Sequence, residues 1–207
     1  MGLFKPAWMT KDSYNKKAEK AVEAETNQEV LLEIIKKAPL VNIRRIAVIK
    51  LTDQATLTDI ARKKYDHYWT DGHQQWMRAA AASCLIEKSI VIDIALNDGD
   101  FEVRVAAVKN KHLTDQTILA QIAKSDDTHL VRIEAVRKIT DQSIIEEIAK
   151  TEKDIQVLEN IFSYFRICIN HRFENRTKFH ASRGNIANRI CRICGEVETV
   201  ESGVDWI

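Results

Sequence analysis

"VRIEAVRKITDQSIIEEIAK", residues 131–150, decides the fold. Apolar residues recur at helical spacing on both sides of Thr140-Asp141-Gln142, a triplet that starts helices. Val131, Ala135, Val136 and Ile139 share one face of a first helix, and Ile144, Ile145, Ile148 and Ala149 one face of a second. Upstream, "VRVAAVKNKHLTDQTILAQIAK", residues 103–124, says nearly the same thing. The structural word is a pair of short helices, and the chain writes it repeatedly.

Outward from these two copies, the triplet recurs as Leu51-Thr52-Asp53-Gln54, Leu113-Thr114-Asp115-Gln116 and Ile139-Thr140-Asp141-Gln142. A degenerate copy at 76–96 puts Leu85-Ile86-Glu87-Lys88 in its place, an earlier copy at 18–37 carries Thr26-Asn27-Gln28, and a worn one remains at 157–162. An arginine marks the first helix of four copies: Arg44, Arg78, Arg104 and Arg132, at spacings of 34, 26 and 28 residues. Three positions after each comes alanine, Ala47, Ala81, Ala107 and Ala135, and Ala21 fits the first copy in the same register. A small residue in mid-face lets a neighbouring helix approach closely. Between the helices, the Thr or Asp side chain is placed to accept from free N–H groups of the second helix, and Thr26-x-x-Glu29 has the form of a capping box.

Helices of about ten residues are marginal alone in water. Each pair hides one face in its own contact and leaves another that only the next pair can cover. A fixed period in this range marks a stacked array. The expected fold is therefore all-α: a right-handed α-solenoid of about five to six helical hairpins over residues 18–165. A capping segment at 1–17, with "GLFKPAW" as a hook on the first pair, precedes it, and a small tail at 166–207 follows.

These residues resemble HEAT-like repeats. The pattern is an aspartate, six residues later the arginine of a Val-Arg pair, then alanine; Asp98 with Arg104 and Asp126 with Arg132 fit it. Arg78 has Gly72 at that offset and Arg44 has Ala38, so these two copies depart from it. The resemblance implies a ladder of hydrogen bonds between acids and arginines of neighbouring pairs, a stacking device. More narrowly, the wording is similar to small bacterial HEAT-like proteins, also called leucine-rich repeat variants, whose shared role is binding other macromolecules.

Composition narrows the function. With 31 basic and 30 acidic residues the net charge is +1, so no global attraction to nucleic acid or membrane follows. The N-terminus lacks the apolar stretch of a signal peptide and no apolar run is long enough to span a bilayer, so a cytoplasmic protein is expected. No Gly-x-Gly-x-x-Gly, Walker loop, His-Glu-x-x-His or Gly-x-Ser-x-Gly is present, and no catalysis is expected.

Two departures from the repeat draw attention. The widest spacing contains an insertion, residues 61–78, with Tyr65, His67, Tyr68, Trp69, His73 and Trp76 beside Arg62, Lys63 and Lys64. Insertions in arrays of this kind map to one face, often the binding face. Tyr65, Tyr68, Trp69 and Trp76 are thus candidate contacts for a protein partner; the alternative is that the loop folds its aromatics down over neighbouring pairs.

The tail places Cys168-x2-His171 nineteen residues ahead of Cys191-x2-Cys194. Thiolate and imidazole pairs at this spacing supply four ligands for one structural zinc; the alternatives are inert thiols or a redox-active Cys-x-x-Cys. The tail also resembles one attached to some bacterial HEAT-like proteins, although Val204-Asp205-Trp206 lacks the histidine that closes theirs. The expected function is a non-enzymatic scaffold for protein–protein interaction. The competing expectation is a nucleic-acid binder using the tail, where residues 161–194 hold seven basic residues against Glu174.

Overall fold

The computed structural model describes residues 6–9, 11, 16–63, 65–69, 72–165, 173–177, 186–191 and 197–201, with side chains as far as position 163 except Asp66. By internal contacts the chain divides into two compact units, Met1–Ile118 and Leu119–Ile207. The first contains α1 (Lys16–Ala24), α2 (Gln28–Lys37), α3 (Val41–Ile49), α4 (Gln54–Ala61), α5 (Gln74–Cys84), α6 (Lys88–Asn97) and α7 (Phe101–Lys109). The boundary falls in the first turn of α8 (Gln116–Ser125); α9 (His129–Lys138), α10 (Gln142–Thr151) and α11 (Ile155–Phe165) follow.

In the N-terminal unit the first helices α1, α3, α5 and α7 pack on one another in chain order. The second helices α2, α4 and α6 each pack against the first helix of the next pair. In the C-terminal unit α11 packs on both α9 and α10. This is the helical-repeat packing that the periodicity demands. No helix among the described residues is long and apolar enough to cross a membrane.

Alanine placement follows the same logic. Ala47, Ala81, Ala107 and Ala135 are fully buried. Ala21 is exposed, with Ala18 and Val22 buried instead. Among the described residues α1 begins the array, so the side that faces an earlier pair in later copies has no helix against it. The short 3-10 turn Ala7–Met9 packs on α1 and buries Trp8.

The helix-starting triplet works through its middle residue. Asp53 accepts from the Thr56 amide at 2.9 Å, Asp115 from Thr117 at 2.9 Å and Asp141 from Ser143 at 2.8 Å, each filling an otherwise empty donor of the first turn. Glu87 does the same for α6 through Ser89. At α2 the cap is Asn27, accepting from Glu29 and Val30, and α2 begins at Gln28. The expected Thr26–Glu29 box does not form: the cap falls one position later, on Asn27, and the residue three on is Val30, whose side chain accepts nothing, while the Asn27 N–H is taken by Glu25.

The glutamine of the triplet reaches forward. Gln28 accepts from the Thr52 amide at 2.9 Å and donates to the Lys50 carbonyl at 3.4 Å. Gln54 accepts from Ile86 at 3.0 Å and donates to Cys84 at 3.4 Å. Each side-chain amide thus imitates a peptide group and binds the turn of the next pair. Lys88 stands where the third glutamine would, and there the link runs backward: buried Asn110 donates to the carbonyls of Ala82 and Leu85, both at 2.8 Å. Asn110 caps the end of α7 and its acceptors lie at the end of α5, so the two helices run parallel with matching ends adjacent.

The arginines differ from the implied ladder in one respect. Arg44, Arg104 and Arg132 each donate to the backbone carbonyl six positions earlier, that of Ala38, Asp98 and Asp126, at 2.9, 3.0 and 2.9 Å. The link from a first helix back to the end of the preceding pair therefore needs no acid, which is why Ala38 serves as well as Asp98. The carboxylate has another task. Asp98, at the end of α6, accepts from Arg78 of α5 in the same pair at 2.7 and 2.9 Å. In the C-terminal unit Glu152 accepts from Arg132 at 2.9 and 3.1 Å. Leu158, six positions after Glu152, occupies the arginine's place in the last copy and is buried.

After α11 the helical period stops. β1 (Phe173–Thr177), β2 (Ile186–Cys191) and β3 (Val197–Glu201) form an antiparallel meander in the order β1-β2-β3, with Phe173 opposite Cys191 and Ile186 opposite Glu201. This small sheet is an element that the sequence reading left unassigned.

Candidate functional site

The insertion leaves α4 through a tight turn. Arg62 donates its N–H to the Thr58 carbonyl, and Lys63, at φ 69°, takes the left-handed conformation that ends many helices. A single 3-10 turn follows at Asp66–Tyr68, closed by the Tyr68 amide on the Tyr65 carbonyl at 3.0 Å.

Trp69 then turns inward. It is 2% exposed, and its indole N–H donates to the Ile35 carbonyl at 2.8 Å. The chemistry of that bond is set by α2. In a continuing helix the Ile35 carbonyl would receive the N–H of residue 39, but Pro39 has none. Trp69 fills the vacancy from 34 positions away. Its own carbonyl accepts from the Gln74 side chain at 2.7 Å, tying the loop to the start of α5. Trp69 is therefore withdrawn from the candidate contact set, because its ring is core and its N–H is committed.

The other rings remain outside. Tyr68 is 42% and Trp76 38% exposed, and Tyr65 is half-buried. Tyr65 and Tyr68 lie 5.6 Å apart between ring centres, His67 sits 4.0 Å from Tyr68, and His73 stacks on Trp76 at 4.5 Å with planes 12° apart. Lys36, in the last turn of α2, places its ammonium 5.3 Å from the Tyr68 ring centre and 5.7 Å from that of Tyr65. A cation over aromatic faces is attracted by their quadrupole. The cluster thus joins two pairs of the array, and Lys36 is a member that sequence reading missed. No local signal marks it, since it belongs to a helix more than 20 residues upstream.

A second concavity lies in the C-terminal unit, a cleft of about 240 Å³ lined by Lys124, Asp126, Arg132, Thr151 and Glu152 among others. Its arginine is already used at Nε, Nη1 and Nη2 by Glu152 and the Asp126 carbonyl. The cleft is a consequence of the stacking link.

Of the proposed zinc ligands, Cys168, His171 and Cys194 lie outside the described residues, and Cys191 is described only through its backbone, as the last residue of β2. No group of three or more His, Cys, Asp and Glu among the described residues is arranged to hold a metal ion. No protein family, characterised protein or solved structure matches the chain.

Proposed function

We propose that the chain is a non-enzymatic, HEAT-like helical-repeat protein of the cytoplasm that binds a protein partner through the insertion between α4 and α5. One observation carries this reading. Among the described residues between α4 and α5 Trp69 is buried, while Tyr68 and Trp76 stay exposed on a frame already ordered by stacking and hydrogen bonds. Large rings held in place before binding lose little conformational freedom when a partner covers them, and such residues dominate interface energetics. The test is affinity capture with the full chain against its Tyr68→Ala/Trp76→Ala form. A partner held by the first and lost by the second supports the reading; capture unchanged by the substitutions refutes it.

A structural zinc held by Cys168, His171, Cys191 and Cys194 belongs to the same proposal. Its support is the spacing in the sequence, Cys168-x2-His171 and Cys191-x2-Cys194, which supplies thiolate and imidazole ligands in two pairs. Tetrahedral coordination by four protein groups would tie the strands without offering an open catalytic position. Metal analysis of purified chain tests it: about one zinc per chain is expected for a closed four-ligand site, and metal-free protein with freely reacting thiols ends the idea.

A further inference from the structure

We infer that the segment of the partner that docks on this insertion is acidic, its carboxylates meeting Lys36 and Lys63 while its apolar side chains cover Tyr68 and Trp76; this rests on the protein-binding reading of the same surface. The argument is one of unmatched charge. The neighbouring carboxylates are taken: Glu33 by Lys37 at 2.8 Å, and Asp93 by Arg62 at 2.9 Å and by the Asn97 amide at 3.0 Å. Asp59, one turn before Arg62, is engaged as well. Among the described residues neither Lys36 nor Lys63 lies in an ion pair. Of the described side chains at the ends of α2 and α4, Lys37 and Arg62 have their carboxylates, while Lys36 and Lys63 have no counter-charge.

Lys36 is also prepared for an anion. A free lysine must be immobilised when it binds, at a cost in rotamer freedom. Here the Tyr65 and Tyr68 rings already hold its ammonium, and they offer no negative ion to be displaced. Lys63 is fixed at its backbone by the left-handed turn. The Arg62–Asp93 pair is about half-exposed on both sides, so exchanging Asp93 for a partner's carboxylate costs little. A basic segment would meet the two unmatched lysines and be repelled.

The experiment measures binding of the full chain to three probes: a short peptide alternating glutamate with leucine, its lysine counterpart, and a single-stranded oligonucleotide. Tighter binding of the acidic peptide is expected, weakening about tenfold in Lys36→Gln/Lys63→Gln and falling with added salt as exposed ion pairs do. Lys88→Gln/Lys111→Gln, which removes two exposed lysines elsewhere, should leave it unchanged. Equal binding of both peptides, stronger binding of the oligonucleotide, or an unaffected Lys36→Gln/Lys63→Gln variant overturns the inference. If Tyr68→Ala/Trp76→Ala loses the natural partner while Lys36→Gln/Lys63→Gln keeps it, the contact surface stands and the acidic assignment alone falls.

Discussion

Arg78 and Asp98 form an ion pair at 2.7 Å in which both side chains are more than nine-tenths buried, 7% and 8% exposed. They are 20 positions apart, Arg78 in α5 and Asp98 at the end of α6, within one helical pair. The carbonyl of the same Asp98 accepts from Arg104 of α7, in the next pair, at 3.0 Å. One residue therefore joins two pairs with two different groups. Removing its carboxylate alone leaves Arg78 charged, buried and uncompensated, whereas the bond to Arg104 survives, as Arg44 on Ala38 already demonstrates.

Asp98→Ala should therefore destabilise the protein by about 3–5 kcal/mol, the range for breaking a buried pair from one side. The double substitution Arg78→Met/Asp98→Ala should recover much of that loss, since no buried charge remains. Urea unfolding of the two variants and the parent measures both; equal losses in the single and double variants would show that packing of Asp98, not charge, matters.

The cap of α2 gives a sharper local test. Asn27→Ala should cost about 1 kcal/mol, because two first-turn N–H groups lose their acceptor. Thr26→Ala should change stability by less than about 0.5 kcal/mol, as expected away from a cap. Thermal unfolding of both variants compares them directly, and a larger loss at Thr26 would restore the capping box.

Trp69 and its neighbours should behave oppositely. Trp69→Phe keeps most of the buried ring and leaves the Ile35 carbonyl without a donor, so a loss of about 1–3 kcal/mol is expected. Tyr68→Ala and Trp76→Ala, both on exposed rings, should lie within about 0.5 kcal/mol of the parent. The same chemical denaturation reads all three, and a stability loss at Tyr68 or Trp76 would count against a surface kept for a partner.

Stability in the C-terminal unit should fall in acid. Burial pushes the Glu152 carboxyl up, but hydrogen bonds from Arg132 and from the Asp154 and Lys153 amides, with the charge of Arg132, hold it below its ordinary value of 4.5. A lowered folded pKa contributes stability that is fully present above the unfolded value and is lost as pH falls through the folded one. Asp141 of the same unit acts in the same direction, held low by Ser143, and Asp53, held low by Thr56, does so in the N-terminal unit. Glu152→Gln should be less stable at neutral pH and show a shallower decline below 4.5, checked by urea midpoints across that range; a parallel decline in both proteins would remove Glu152 as the titrating group.

Much of the helical part was legible because its causes are local. The 3.6-residue period places Val131, Ala135 and Val136 on a buried stripe, and an aspartate before a glutamine caps the helix that follows whatever surrounds it. The buried alanines were equally readable, and Ala21 departed, in the helix that begins the array among the described residues. The tail's strands were not read, being five or six residues each with little apolar alternation to announce them.

By itself, then, the amino-acid order determined where helices start, which faces they bury and how often the pair recurs. Tertiary structure alone decided that the Asp98 carboxylate serves Arg78 while its carbonyl serves Arg104, that Trp69 answers the gap made by Pro39, and that Lys36 meets Tyr65 and Tyr68. The reason is range. Capping and periodicity act within one or two turns, where spacing is fixed by the helix. Contacts between separate helices join residues about 20 to 34 apart across spacers of unequal length, and only the packed array brings those partners into register.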